Sequence, residues 1–118
     1  STGFGLIAKT TGPNNGSLEV VGNFVIGGEG VALVGHSANK VGRTTGWGQG
    51  LVTRTCASTS VSGTNIVLLC QTFVEHGSAV IVQGGDSGSP VFRIESSGAA
   101  TLLGNLWGAN SAGTLFVY

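Results

Sequence analysis

Apolar residues come in short runs along this chain, among them Phe24-Val25-Ile26, Val31-Ala32-Leu33-Val34, Ile66-Val67-Leu68-Leu69, Val80-Ile81-Val82 and Leu115-Phe116-Val117, and Gly, Asn, Ser and Thr punctuate the stretches between them. No segment keeps a 3.6-residue apolar period for three turns, and the β-branched content of the runs predicts strands. The pattern places them near residues 3–10, 18–26, 30–41, 49–57, 65–74, 90–95, 99–107 and 114–118. Loops are expected at 11–17 and 58–64, where Pro13-Asn14-Asn15-Gly16-Ser17 and Ser62-Gly63-Thr64-Asn65 carry turn signals. Closely spaced strands of this kind predict an all-β domain, a small barrel or sandwich spanning residues 1–118. The chain opens on Ser1-Thr2-Gly3 with no leader, and its last run stops in mid-pattern at Tyr118. Both ends therefore read as cut.

Composition narrows the function classes. Only 8% of the 118 residues are charged, five Lys/Arg against five Asp/Glu. Such a chain has no basic field for nucleic acid, and no apolar run approaches the ~20 residues of a membrane helix. Cys56 and Cys70, the two cysteines, form no Cys-x-x-Cys motif. No metal or cofactor is implied. Their midpoint, Gly63, falls in the turn-forming segment, so the two residues are expected to oppose each other across a hairpin as a disulfide. Two buried free thiols are the alternative. A disulfide together with low charge predicts an exported protein.

The candidate chemistry lies in Gly84-Gly85-Asp86-Ser87-Gly88-Ser89-Pro90-Val91. Ser87 stands on a glycine-flanked turn, where the backbone is free to adopt unusual conformations and no side chain crowds an approaching carbonyl. The N–H groups of Gly85 and Ser87 are placed to converge on one point, as an oxyanion hole requires. An ordinary Gly-Ser turn is the alternative for this segment taken alone.

A second segment, Gly42-Arg43-Thr44-Thr45-Gly46-Trp47-Gly48-Gln49-Gly50, precedes it, and Leu106-Trp107-Gly108 follows. In that order the three stretches resemble the C-terminal half of chymotrypsin-fold serine proteases, most closely the bacterial streptogrisin and α-lytic type. The resemblance covers residues 40–118 well and the first forty by strand pattern only. It implies a single six-stranded antiparallel β-barrel, the N-terminal barrel being absent. It assigns Ser87 as nucleophile and Gly85 and Ser87 as oxyanion-hole donors. Asp86 becomes a buried carboxylate held by Arg43, while Trp107, Gly108 and Gly113 line the substrate cleft. The specificity-pocket floor, six places before the nucleophile, falls on Ile81. Ser89 and Leu106 depart from the family pattern, where glycine and serine are usual.

The resemblance leaves the catalytic triad incomplete. Asp86, the single aspartate, adjoins the serine and is not its acid. His36 and His76 are the remaining bases, and both read as surface residues. The expectation is a fragment of a secreted endopeptidase, inefficient alone, that acts on peptide or protein substrates once joined to the missing barrel. A homodimer through the exposed inter-barrel face is a further partner. The rivals are a single-barrel binding module or inactive protease homologue, and a self-contained hydrolase using His36 or His76.

Overall fold

The computed structural model describes residues 5–60, 63 and 67–118, with side chains outside 57–60 and 67–70. Nine strands are defined: β1 (Leu6–Thr10), β2 (Val20–Glu29), β3 (Ser37–Gly42), β4 (Gly46–Ser60), β5 (Val67–Glu75), β6 (Pro90–Ile94), β7 (Ala100–Asn105), β8 (Gly108–Ala109) and β9 (Leu115–Val117). They join into one curled sheet of order β1-β2-β7-β6-β3-β4-β5-β9-β8. The all-β expectation holds among the described residues, but the six-stranded antiparallel count does not. β2 runs parallel to β7, with Ile26 beside Ala100 and Glu29 beside Leu102. These partners are more than seventy residues apart, and no local pattern encodes the direction of so distant a pairing. The strand expected at 30–41 also shortens. Gly35, at φ 92°, turns the chain, and pairing with β4 begins at Ser37.

Period-two burial decides the faces. In β2, Phe24 and Ile26 are buried while Val25 between them is exposed. β6 is buried on both faces, because Val91 joins a core with Ala38, Val52, Val74, Ile81, Val82, Leu106 and Phe116. Its neighbour Phe92 joins Ile7, Phe24, Ile26 and Ala100 on the other side. Phe24 meets Trp47 edge-on, with ring centroids 5.1 Å apart at 82°. Trp47 is thus a packing residue, and its indole N–H donates to Asn39 Oδ1 at 3.0 Å.

The long hairpin of β4 and β5 is irregular. Ala57 pairs with Gln71 and Thr59 with Leu68, and the register shifts between Arg54 and Ala57. Cys56 sits in that irregularity at φ 53°. It is therefore not directly opposite Cys70, contrary to the expected symmetry about Gly63, because a bulge inserts a residue into one strand only. The Cys70 side chain, and with it the bond between the two sulfurs, lies outside the described residues.

Candidate active site

The turn carrying Ser87 is held to the sheet by its backbone. Asp86 N–H donates to Gln83 O and Ser89 N–H to Asp86 O, while Gly88 N–H reaches Leu106 O at 2.7 Å and Leu106 N–H returns to Ser89 O at 2.9 Å. The Ser89 hydroxyl also donates to Asp86 O, so the residue that departs from glycine adds a bond to the turn. Gly85 and Gly88 stand at φ 98° and 86°, where a side chain would be strained. Among the described residues no backbone carbonyl accepts from Gly85 or Ser87 N–H. Ser87 itself is exposed.

Behind this turn lies a buried ion pair, and its cation is Lys40. The Lys40 Nζ donates to Asp86 Oδ2 at 3.0 Å with both side chains fully buried. Its other donors go to Thr45 Oγ1 and to Gly46 O, the latter at 3.0 Å. Asp86 Oδ2 also accepts from Thr45 Oγ1 at 2.6 Å and from Gln83 N–H at 2.9 Å. Oδ1 accepts from the backbone N–H of Thr44 and Thr45 at 3.0 and 3.3 Å. Both charges are therefore saturated with partners, as burial requires. Burial pushes the Asp86 carboxyl up, but the bonds from Thr45, Gln83, Thr44 and Lys40 outweigh it and hold it below the usual carboxylate range. Burial likewise drives the Lys40 ammonium below its ordinary value, and Asp86 offsets this only in part.

The expected Arg43–Asp86 pair is thus corrected. Arg43 is exposed, and its Nε donates to Gly85 O at 3.1 Å. The space beside Asp86 is already filled: a Cβ on Gly42 would strike Asp86 Oδ1, and one on Gly48 would come within 2.8 Å of Lys40 Cε. The sequence carried little signal for Lys40: it shares strand parity with Ala38, but β3 is buried on both faces, Asn39 included, so parity alone does not single it out. Thr44, Thr45 and Gln83 carried none, since all three act on Asp86 through backbone N–H groups that any residue possesses, Thr45 adding its hydroxyl.

A cavity of about 600 Å³ opens beside Ser87, lined by Val82, Gln83, Gly84, Leu106, Trp107, Gly108, Asn110 and Gly113 among others. Of the expected cleft residues, Trp107, Gly108 and Gly113 line it. Ile81 does not: it is fully buried in the core, as is Val82, which borders the cavity beside the exposed Gln83. Ile81 and Val82 N–H both donate to Gly113 O, at 2.8 and 3.2 Å, so opposite walls of the cavity are joined. Trp107 is fixed by its indole N–H, which donates to Gln71 Oε1 at 2.8 Å.

Neither histidine lines this cavity. His36 is exposed, and its backbone carbonyl accepts from Val52 N–H. His76 Nδ1 accepts from the backbone N–H of Ser78 and Ala79 at 3.1 and 2.8 Å.

No family model and no curated protein matches the chain. Solved structures do. Thermobifida fusca protease A aligns with a TM-score of 0.68 at 22% identity, over 96% of this chain and 52% of that one. A Nocardiopsis protease aligns at 0.69 and 21% over the same shares, and Cellulomonas bogoriensis chymotrypsin at 0.64 and 20%, over 83% and 49%. The chain thus spans about half the length of the structures it matches, and its fold is that of one half of a bacterial chymotrypsin-fold serine protease.

Proposed function

We infer that this chain is the nucleophile-bearing half of an exported serine endopeptidase working by acyl transfer. Ser87 Oγ attacks the scissile carbonyl while a histidine from an N-terminal barrel takes its proton. The Gly85 and Ser87 N–H groups then hold the oxyanion. The observation that carries this reading is the exposed Ser87 at the mouth of the cavity, on a turn whose Gly85 and Ser87 N–H groups have no described backbone acceptor. A buried, fully bonded ion pair lies directly behind it. Among the described residues neither histidine lines the cavity beside Ser87, which argues against a self-contained hydrolase in which one chain supplies His36 or His76 to its own Ser87.

The test is fluorophosphonate labelling of the full-length protein. Labelling at Ser87, abolished by Ser87→Ala, is the expected result, and residues 1–118 alone should label far more slowly. An unlabelled full-length protein would favour a binding module on the same fold.

A further inference from the structure

The geometry points to Thr44 as a positioning residue that fixes the Gly84–Gly85 peptide in the orientation an oxyanion donor needs. This rests on the reading of Ser87 as nucleophile. A peptide between two glycines is the least constrained link a chain contains, because no Cβ on either side resists rotation of the whole plane. Nothing intrinsic to Gly84-Gly85 selects one of its two orientations. The plane is trans, so its C=O and N–H point to opposite sides. Whatever grips the Gly84 carbonyl therefore aims the Gly85 N–H the other way.

Thr44 supplies that grip. Its Oγ1 donates to Gly84 O at 2.9 Å, and the hydroxyl lies so close behind Gly85 that a Cβ there would collide with it. The next carbonyl is gripped as well, by Arg43 Nε on Gly85 O at 3.1 Å. Thr44 is itself anchored by its backbone N–H on Asp86 Oδ1 at 3.0 Å. One exposed dipeptide thus holds two successive carbonyls of the turn from behind. The Gly85 N–H faces away from it, with no described backbone acceptor. A flipped peptide would place a carbonyl where the oxyanion develops.

The full-length protein and its Thr44→Val, Thr44→Ala and Thr44→Ser variants provide the test. Thr44 is exposed and anchored through its backbone, so the substitutions spare the bond to Asp86. Two readouts are taken: the orientation of the Gly84–Gly85 peptide in crystal structures, and the fluorophosphonate reaction separated into kinact and KI. In Thr44→Val and Thr44→Ala the peptide should flip or occupy both orientations. The value of kinact should fall about tenfold or more, toward the ~10²–10³ of a lost oxyanion donor, with KI nearly unchanged. Thr44→Ser, which keeps the hydroxyl, should restore both. A single unflipped peptide in Thr44→Val and Thr44→Ala overturns the proposal whatever the rates, and so does a flipped peptide with kinact unchanged. If the parent protein does not react at all, the reading of Ser87 fails, and the crystallographic readout alone decides whether Thr44 holds the peptide.

Discussion

Lys40 and Arg43, three positions apart, show how much the location of one cation matters. Lys40 is enclosed and donates to three oxygens, one of them on Asp86. Arg43 reaches only a backbone carbonyl from the surface. Lys40→Met leaves a buried carboxylate without its cation and should destabilise the protein by about 3–5 kcal/mol. Arg43→Ala removes one exposed hydrogen bond and should cost no more than about 1.5 kcal/mol. Urea denaturation of the two variants checks the order, and a larger loss for Arg43→Ala would contradict the buried pair. The same pair predicts an acid limb. Because Asp86 is held below the usual carboxylate range in the folded state, its contribution is present above the unfolded value of ~3.9 and disappears as pH falls through the lower folded one. Lys40→Met removes one of the bonds that depress it, so the drop in stability below about pH 4 should be shallower than in the parent. Equal slopes would mean that Asp86 does not titrate through this pair.

At the scale of elements, the glycines of the Gly42–Gly50 segment follow the same logic. Gly42 ends β3 where a Cβ would strike the Asp86 carboxylate and come within 2.6 Å of Ser89 Oγ. Gly42→Ala should therefore destabilise by about 1–3 kcal/mol, as overpacking does, and should also slow labelling at Ser87. A variant as stable and as reactive as the parent would show that the turn adapts. Short apolar runs made most strands legible, as Phe24-Val25-Ile26 illustrates, although which residue of a run is buried emerges only in the fold. The pattern missed β8, which falls between the strands expected at 99–107 and 114–118, because two residues are too short to display a period. It gave no warning of the bulge at Cys56 either, since a one-residue insertion leaves the composition of a strand unchanged. The disulfide to Cys70 remains the expected bond, and no described cysteine is free. Closing a loop of this length should contribute roughly 3 kcal/mol. An intact mass that alkylation raises only after reduction is the outcome to look for, and two alkylated thiols in the native protein would refute it.

For the whole molecule, the expected floor of the pocket, Ile81, lies outside the cavity beside Ser87. Counting back from Ser87 puts Ile81 at that floor, yet Ile81 is fully buried in the core and does not line the cavity, which is bordered instead by the next residues, Val82, Gln83 and Gly84. The chemical conclusion survives, because no lining residue of the cavity is charged: Leu106, Trp107 and Val82 are apolar, and Gln83, Asn110 and Ser111 are neutral. A Lys or Arg side chain entering there would give up water without meeting a carboxylate, at a cost of several kcal/mol. An aromatic or large aliphatic side chain would instead bury apolar surface against Trp107, at about 25 cal/mol per Å², and a volume of about 600 Å³ accommodates a phenyl or indole ring. On the proposed function, the full-length protein is therefore expected to favour apolar or aromatic P1 residues over Lys or Arg by at least two orders of magnitude in kcat/KM. Profiling a peptide library differing only at P1 measures this directly. Dominant cleavage after Arg or Lys would mean that a carboxylate from elsewhere in the full protein reaches the cavity, or that the substrate side chain binds in another place.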